Sequence, residues 1–445
     1  MSDLLKNTHN VFLVGIGGVS MCALAGVLKN RGYNISGSDM QESEAVAELR
    51  AMGIDVIIGH RAENIGNCDA VIRTAAAKDD NPEIMAARKR GIRVIERAEA
   101  WGSIMADYKD ALCVSGTHGK TTTTGMAAHI ALAANVDPTV MLGGYLPIIG
   151  AGHRLGANTL IIAESCEYCN SFLHFLPTIS VILNIEPDHL DFFSGLDEII
   201  TSFSAFAAKA NRVLVNGGDT NALASVANIP HNTFGADEQY DIHCKNLTFD
   251  KGLPSFDIWA FGEKYADVKL NVPGMFNVLN ALAAAGAARL LDISGKAVTE
   301  GLNGFHGTGR RFERLGKYNG ADVADDYAHH PTEVKSTLSA ANEMGYKRVI
   351  LAFQPHTYTR TAALFDDFAA ALKADKVLIT EIYAAREKST GLSAQSLAEA
   401  IPNAGFFPTL DELERELRVI AQEGDLIITM GAGSIGTVGR KLVNS

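Results

Sequence analysis

A glycine-rich segment in the first third of the chain carries the residue types that bind phosphate. Residues 111–124 read ALCVSGTHGKTTTT, an apolar run that leads through a turn into a run of threonines. Gly116 and Gly119 allow backbone N–H groups to curl around phosphate oxygens at the start of a helix. Lys120 would then meet the β- and γ-phosphates of a nucleotide, and the Thr121 hydroxyl would bind Mg²⁺. The alternative is a plain turn between strand and helix, in which a buried lysine would lose its hydration without gaining an anion.

Acidic and histidine side chains follow two later apolar runs. Glu164 closes the run TLIIAE, and Asp188, His189 and Asp191 follow VILNIEP. Ligands of doubly wound sheets gather at the carboxyl ends of the strands, so both groups are expected beside the phosphate loop. Glu164 and Thr121 would supply the oxygen ligands that Mg²⁺ prefers, and His189 would hold a second ion. A lone histidine of this kind is more often structural, and only the neighbouring loop favours metal binding.

A second glycine-rich turn lies near the start of the chain. Residues 11–20 read VFLVGIGGVS, and Asp39 ends the next predicted strand. This resembles a dinucleotide-binding fingerprint, but Ser20 occupies the place of the last glycine. The turn still suits a diphosphate near Gly17 and Gly18, with Asp39 near a ribose.

A complete G-x-G-x-x-G pattern occurs close to the C-terminus, at Gly431, Gly433 and Gly436. Only nine residues follow it, so no further strand can supply the acidic residue that binds a ribose. We interpret it as a packing turn between a strand and a helix.

Short apolar runs alternate with helical stretches, which defines the elements that must position these residues. The first alternating unit covers residues 11–97, a second begins with the strand before the phosphate loop, and a third follows a glycine-punctuated joint at 304–309. This alternation predicts an α/β fold with mostly parallel sheets. The predicted elements include a helix at Val19–Asn30 and strands at 159–163, 179–184, Arg212–Asn216, Arg348–Phe353 and Asp425–Met430.

Length and composition limit the classes of protein to which this chain can belong. The chain has 445 residues, which suggests about three domains. Its 39 Lys and Arg against 51 Asp and Glu give a net charge of −12, which argues against generic affinity for nucleic acid or anionic membrane. We expect a cytoplasmic protein, because residues 1–10 are polar and no apolar run has the length of a membrane span. Its six cysteines are expected to be reduced, and the pair Cys166 and Cys169 to serve packing.

Several separate motifs, taken together and in order, resemble those of the Mur ligases. They are GTHGKT at the phosphate loop, Glu164, NIEPDHLD, GMFNVLNALAA at 274–284, FHGTGRRFE at 305–313 and DDYAHHPTE at 325–333. The resemblance covers essentially the whole chain. It implies a Rossmann-like domain at 1–108 that binds UDP-N-acetylmuramate, a central P-loop ATPase domain at 109–308, and a Rossmann-like domain at 309–445 that contacts the amino acid.

The resemblance also implies a role for each motif residue. The implied ligands of the UDP-sugar are Gly17, Gly18, Ser38, Asp39 and His60. Those of ATP are Gly116, Thr117, His118, Gly119, Lys120, Thr121, Thr122, Asn277, Asn280, Arg311 and Asp326. Magnesium would be held by Thr121, Glu164 and His189, and the amino acid by His329, His356 and Arg360. The implied catalytic residues are Lys120, His189, Arg311, Asp326 and His329.

The activity implied by the resemblance is ATP-dependent amide synthesis with Mg²⁺. A carboxylate is a poor acyl donor, so it would first attack the γ-phosphate of ATP and become an acyl phosphate. The segments DDYAHHPTE and FQPHTYTRT are most similar to those of family members that add L-alanine to UDP-N-acetylmuramate in peptidoglycan precursor synthesis. The alternative within the family is a recycling ligase that attaches a tripeptide to the same UDP-sugar.

This chain departs from the family pattern at a few positions. Ser165, Cys166, Glu167, Tyr168 and Cys169 stand where an acidic run is frequent, Thr357 stands where a second arginine is common, and Phe276 replaces a frequent histidine. More distant alternatives are a nicotinamide-dependent oxidoreductase, a P-loop switch or motor protein, and a folate polyglutamating ligase. The first leaves GTHGKT unexplained, and the last lacks an N-terminal domain of the UDP-binding type.

Overall fold

Three sheets follow one another along the chain, as the predicted α/β class requires. The computed structural model describes residue 5 and residues 8–190, 192–385 and 387–444, so Asp191 lies outside the described residues. The chain divides into two compact units. The first runs to Cys244 and includes Ile258–Ala266 and Asn280–Gly301, and the second contains Lys245–Asp257, Asp267–Leu279 and everything from Leu302 onward.

The first sheet is parallel throughout and has the strand order β3-β2-β1-β4-β5. The chain order reverses beside β1, which places a ligand-binding crevice at the carboxyl end of that strand. Its elements are β1 (Asn10–Val14), α1 (Val19–Asn30), β2 (Asn34–Asp39), α2 (Glu44–Ala51), β3 (Asp55–Ile58), β4 (Ala70–Arg73), α3 (Pro82–Lys89), β5 (Arg93–Glu96) and α4 (Arg97–Met105).

The second sheet has ten strands in the order β15-β14-β13-β12-β11-β10-β6-β9-β7-β8. Strand β6 lies between β9 and β10 and is parallel to both, with Val114 opposite Glu164 and Ser115 opposite Ile182. Its elements are β6 (Asp110–Ser115), α5 (Lys120–Ala133), β7 (Thr139–Leu146), β8 (Ala151–Arg154), β9 (Leu160–Glu164), β10 (Ile179–Ile182), α6 (Leu196–Ala207), β11 (Arg212–Asn216), α7 (Thr220–Ser225), β12 (Asn232–Phe234), β13 (Ile242–Asp250), β14 (Leu253–Ala260), β15 (Glu263–Lys269), α8 (Met275–Leu290) and α9 (Gly295–Asn303).

The third sheet belongs to the second unit and has the order β16-β17-β21-β18-β19-β20. Only the β16 and β17 pair is antiparallel. Its elements are β16 (Glu313–Tyr318), β17 (Ala321–Asp326), α10 (Pro331–Asn342), β18 (Arg348–Phe353), α11 (Tyr358–Ala363), α12 (Phe365–Ala371), β19 (Lys376–Thr380), α13 (Ala394–Glu399), β20 (Ala404–Phe407), α14 (Leu410–Ile420), β21 (Asp425–Met430) and α15 (Gly436–Val443).

Buried apolar strands explain why the site residues lie at strand ends. In β6 every residue after Asp110 is buried, which is typical of a parallel strand covered by helices on both faces. The chain can therefore expose polar groups only where it leaves the sheet. Across the described residues, no helix combines the length and apolarity needed to cross a membrane.

Helix α4 packs closely against the 3-10 turn Tyr168–His174, which follows β9. A Cβ atom at Gly102 would overlap the carbonyl oxygen of His174. Gly195 offers a matched comparison, because a Cβ atom there would have no neighbour within 4 Å.

We predict that Gly102→Ala lowers the free energy of unfolding by about 2–4 kcal/mol, because backbone atoms must shift to admit the methyl group. This loss outweighs the gain of about 1 kcal/mol that alanine brings to a helix interior. Thermal unfolding of G102A and of the control G195A measures the effect. Equal melting temperatures for the two variants would contradict this packing.

Candidate functional site

The phosphate loop joins β6 to α5 through two glycines with positive φ. Gly116 has φ 142° and Gly119, the residue before α5, has φ 86°. A Cβ atom at Gly119 would lie 2.6 Å from Asn280 Oδ1, and one at Gly116 would lie 2.9 Å from Leu183 Cβ. The loop therefore requires glycine at both positions, for backbone conformation and for space.

Side-chain and backbone contacts fix this loop to the end of β10. The N–H of Thr117 donates to Asn184 O at 3.0 Å, and the N–H of His118 donates to Asn184 Oδ1 at 2.7 Å. Asn184 Nδ2 returns a hydrogen bond to His118 O at 3.1 Å, and Thr117 Oγ1 accepts one from the N–H of Glu186 at 2.9 Å. The loop is thus held from the neighbouring strand. Thr122, in the first turn of α5, is buried.

Lys120 lies in this loop and forms a buried ion pair with Glu167. Its Nζ is 3.0 Å from Glu167 Oε2 and 3.4 Å from Oε1, and it also donates to the carbonyl oxygens of Gly116 and Thr117. Burial alone would lower the pKa of Lys120, but neighbouring groups, Glu167 foremost and Cys166 and Glu164 with it, together outweigh that effect and raise it. In the sequence, Glu167 stands out only as part of a departure from the family pattern. Its place three residues after Glu164, which ends β9, indicates that it lies near the loop but does not indicate the ion pair.

Glu164 lies next to the phosphate loop, as the strand-end rule predicts. Its Oε2 accepts a hydrogen bond from the N–H of Gly143 at 2.7 Å, and Oε1 has no hydrogen bond among the described residues. Thr121 is buried at the start of α5. A carboxylate and a hydroxyl are the oxygen donors that Mg²⁺ prefers, so this donor set fits the ion that the sequence implies.

His189 has φ 53° and stacks against Tyr168, with ring centroids 4.7 Å apart. Its N–H donates to Asp188 Oδ1 at 2.8 Å. Glu167 and Tyr168 are adjacent in the chain, and they contact Lys120 and His189 respectively. The segment after β9 therefore supports both the loop lysine and the candidate metal histidine.

All six cysteines are free thiols. Burial raises the pKa of Cys166 to about 11, so this thiol is not a reactive thiolate at neutral pH. Its position beside the loop agrees with a packing role.

Helix α8 carries the two asparagines that the resemblance assigned to ATP. Asn280 accepts a hydrogen bond from Thr123 Oγ1 at 3.2 Å and lies against Gly119, so it borders the phosphate loop. Asn277 belongs to the second unit, where its Nδ2 donates to Pro273 O at 2.8 Å.

Asp39 forms a hydrogen bond to the backbone of the N-terminal glycine turn. Asp39 Oδ2 accepts a hydrogen bond from the N–H of Gly17 at 2.9 Å, so in this structure Asp39 contacts the turn that we expected to bind diphosphate. Gly18 is the residue before α1. Ser20, in the place of the last fingerprint glycine, accepts hydrogen bonds from Arg97 Nη1 and Trp101 Nε1.

Ser38 and His60 share a buried carboxylate, Glu83, that the sequence does not predict. Glu83 Oε2 accepts from Ser38 Oγ at 2.8 Å and lies 2.8 Å from His60 Nδ1, while Oε1 accepts from Asn64 Nδ2 at 2.6 Å. Glu83 is fully buried, so these donors compensate its lost hydration. The network orients both candidate UDP-sugar ligands. No sequence signal linked Glu83 to residues 23 and 45 positions away.

In the second unit, Asp326 ends β17, and its side chain binds the backbone of two nearby segments. Its carboxylate accepts hydrogen bonds from the N–H groups of Phe312 at 2.8 Å and Ala328 at 2.7 Å. Burial raises the pKa of Asp326 to about 6, against the opposing charge of Arg311. Arg311 pairs with Glu333 at 3.5 Å and lies over the ring of Tyr327 at 5.1 Å.

The three candidate amino-acid ligands lie close together. The rings of His329 and His356 have centroids 5.7 Å apart, and Arg360 Nη1 is 3.2 Å from His356 Nδ1. Thr357, between them, has φ 66°, a conformation that costs a β-branched residue about 1–3 kcal/mol and is typical of functional sites. Glu387 Oε2 accepts from the N–H groups of Tyr358 and Thr359 and so fixes the start of α11.

His329 has a defined hydrogen-bonding state. Its Nδ1 lies 3.0 Å from Tyr327 O, and burial lowers the pKa of the ring to about 4. The neutral ring therefore donates from Nδ1 to this carbonyl, which leaves Nε2 as an acceptor at neutral pH.

Protein atoms occupy the space beside the glycines of the C-terminal motif. Gln354 Oε1 accepts a hydrogen bond from the N–H of Ile435 at 3.1 Å, and a Cβ atom at Gly433 would lie 2.5 Å from the same oxygen. Arg310 Nη2 donates to the carbonyl oxygens of Gly431 and Gly433. This agrees with a packing turn.

Three family models match the chain in sequence order. They are the Mur ligase family, catalytic domain, at residues 10–109, the Mur ligase middle domain at 114–288, and the Mur ligase, glutamate ligase domain, at 310–433. The predicted domain boundaries at 108 and 308 stay a prediction.

Full-length relatives and solved structures are similar to this chain over nearly its whole length. The UDP-N-acetylmuramate--L-alanine ligase of Clostridium beijerinckii is 43% identical over 457 residues, which covers 100% of this chain and 99% of that protein. The enzyme of the same name from Agathobacter rectalis is 44% identical over 454 residues, with 99% of each covered. A UDP-N-acetylmuramate-alanine ligase structure from Thermotoga maritima matches with TM-score 0.83 and 30% identity over 98% of each chain. A murein peptide ligase from Psychrobacter arcticus shares the fold, with TM-score 0.73 and 23% identity over 98% of each chain.

The lowered pKa of His329 predicts a pH-dependent stability. Between the folded value of about 4 and the ordinary value near 6.5, the unfolded chain binds more protons, so the free energy of unfolding rises with pH. Wild type should therefore gain about 2 kcal/mol relative to His329→Gln between pH 4.5 and 6.5. Thermal unfolding at both pH values measures this, with His231→Gln as the exposed control. A difference that does not change with pH would contradict the neutral buried ring.

Proposed function

The chain belongs to the Mur ligase family, and from this premise we propose that it joins L-alanine to UDP-N-acetylmuramate, with hydrolysis of ATP to ADP and phosphate. The observation that carries the proposal is the 43% identity, over the whole chain, to ligases of that name. A phosphate loop with the matching motif, placed at the carboxyl end of β6, supports it. The reaction would belong to peptidoglycan precursor synthesis in the cytoplasm.

The first chemical step is activation of the UDP-sugar carboxylate. A carboxylate oxygen attacks the γ-phosphorus of ATP, the bond to the β-phosphate oxygen breaks, and an acyl phosphate and ADP result. Two anions must approach each other, so positive charge is required. Lys120 would supply it at the β- and γ-phosphates, and backbone N–H groups at the start of α5 would bind phosphate oxygens.

Magnesium, when bound, would neutralise phosphate charge and orient the γ-phosphate for in-line attack. Thr121, Glu164 and His189 are the residues that would hold it. Tyr168 packs on His189 and the N–H of Gly143 binds Glu164, so two of these side chains are already oriented.

Further nucleotide contacts are proposed in each unit, Asn280 in the first and Asn277, Arg311 and Asp326 in the second. Arg311 would face the charge that develops on the transferred phosphoryl group, and Asp326 would contact ATP, with Asn277 and Asn280 as further nucleotide contacts. Water would hydrolyse the acyl phosphate, so the reaction requires that water be kept away from it.

The second step is attack of the L-alanine amine on the acyl carbon. The deprotonated amine forms a tetrahedral intermediate, its nitrogen loses a proton to solvent, the bond from carbon to the phosphate oxygen breaks, and amide and phosphate are released. Arg360 would bind the amino-acid carboxylate. His329 holds a proton too weakly to act as the base at neutral pH, so its Nε2 would instead accept a hydrogen bond from the amino group beside His356.

The UDP-sugar would bind at the carboxyl edge of the first sheet. Gly17 and Gly18 would face its diphosphate, and Ser38, Asp39 and His60 would contact the nucleoside. For Asp39 to reach a ribose it would have to share or release the N–H of Gly17. Glu83 would keep Ser38 and His60 in place through its buried hydrogen bonds.

Release of phosphate tests the proposal. With ATP and Mg²⁺, we expect release only when UDP-N-acetylmuramate and L-alanine are both present, with glycine, L-serine and the tripeptide L-alanyl-γ-D-glutamyl-meso-diaminopimelate as comparisons.

Lys120→Ala should lower kcat by about 100-fold or more, because it removes positive charge from the transferred phosphate. The exposed Lys109→Ala is the matched control.

Preference for the tripeptide would make the protein a recycling ligase. Phosphate release that does not depend on the UDP-sugar would contradict ligase activity and favour a P-loop switch or motor protein.

A further inference from the structure

Every N–H of the Lys120 ammonium group has an acceptor within the protein. The three acceptors are the carbonyl oxygens of Gly116 and Thr117 and the carboxylate of Glu167. An ammonium group has three donors and no more. In this conformation Lys120 therefore has no donor left for a phosphate oxygen.

The ion pair is also protected from water. The side chain of Lys120 is 12% exposed and that of Glu167 is 3% exposed, so solvent screens their attraction little. Breaking such a pair is unfavourable unless each charge gains a new partner. A bound phosphate supplies a partner for Lys120, but not for Glu167.

Glu167 is the fixed member of the pair. It precedes the 3-10 turn Tyr168–His174, and its carbonyl oxygen accepts from the N–H of Asn170 at 2.9 Å. The same turn packs against α4, which has no room for a side chain at Gly102. Lys120, with four rotatable side-chain bonds, is the member that can move.

We propose that Glu167 is the resting counter-ion of Lys120, and that a nucleotide must displace it before the lysine can bind the β- and γ-phosphates. Glu167 is thus a positioning residue that acts through Lys120. The inference rests on the proposed function, because it takes ATP as the ligand of the loop. Glu167 lowers the affinity for phosphate in the empty site and keeps the lysine charged and in place between turnovers.

The affinity for ADP without divalent metal tests this role, because it isolates the competition between carboxylate and phosphate. In isothermal titration calorimetry with EDTA, Glu167→Gln should bind ADP at least about threefold more tightly than wild type, since a buried charge pair no longer has to be broken. A residue that merely supported the loop would give weaker binding when replaced. The thermal unfolding of each variant, measured in parallel, confirms that it is folded.

Three comparisons separate displacement of Glu167 from general repulsion of phosphate. Glu167→Asp keeps the charge but shortens the side chain by one methylene, so it should also tighten ADP binding if contact with Lys120 is what competes. If Glu167 only repels phosphate, E167D should bind ADP with the wild-type affinity. That result would overturn the proposal. The exposed Glu263→Gln should leave ADP affinity unchanged, and adenosine, which has no phosphate, should bind all variants equally.

The outcomes distinguish this inference from the function on which it rests. Unchanged or weaker ADP binding by E167Q, with normal binding by wild type, overturns only the counter-ion role. Failure of the wild-type protein to bind ADP in the presence of Mg²⁺ overturns the proposed function and this inference with it.

Discussion

The turn after β6 is the constraint on which the rest of the first unit depends. It must expose backbone N–H groups and a lysine at the centre of a buried parallel sheet, where β9 and β10 flank β6. Two glycines with positive φ make the turn possible, and Asn184 and Glu167 hold it from the neighbouring strand ends. Because adjacent parallel strands end at the same edge, the acid of β9 and the histidine that follows β10 are placed at that edge by the same topology.

Charged side chains and hydrogen-bond donors at the candidate site are paired with other groups of the protein. Lys120 is paired with Glu167, Arg311 with Glu333, and Asp39 with the N–H of Gly17. The proposed reaction requires positive charge and hydrogen-bond donors for triphosphate, diphosphate and carboxylate groups, and such groups destabilise a protein where they are buried without partners. Ligand binding in the proposed reaction is therefore an exchange of partners, and the affinity is the difference between two sets of interactions.

Local sequence predicted the elements and the strand-end residues, and left out the contacts between them. The helix Val19–Asn30 and the strand Arg348–Phe353 have the predicted bounds, because glycine turns and apolar runs mark them directly. The position of Glu164 beside the loop followed from parallel strand order. Glu83 and Glu167 could not be assigned in this way, since their roles arise from side chains that meet only after the sheets have formed. The contact of Asp39 with Gly17 likewise depends on a rotamer that the fingerprint does not specify.

In the proposed mechanism, the UDP-sugar carboxylate is activated as an acyl phosphate at the Lys120 loop. Transfer of oxygen from that carboxylate tests it most directly. UDP-N-acetylmuramate labelled with ¹⁸O in the carboxylate is turned over with ATP and L-alanine, and the released phosphate is analysed by mass spectrometry. The mechanism predicts one ¹⁸O atom in each phosphate, because the attacking carboxylate oxygen leaves with phosphorus when the amide forms. Phosphate without label would contradict the acyl phosphate and with it the role assigned to the loop.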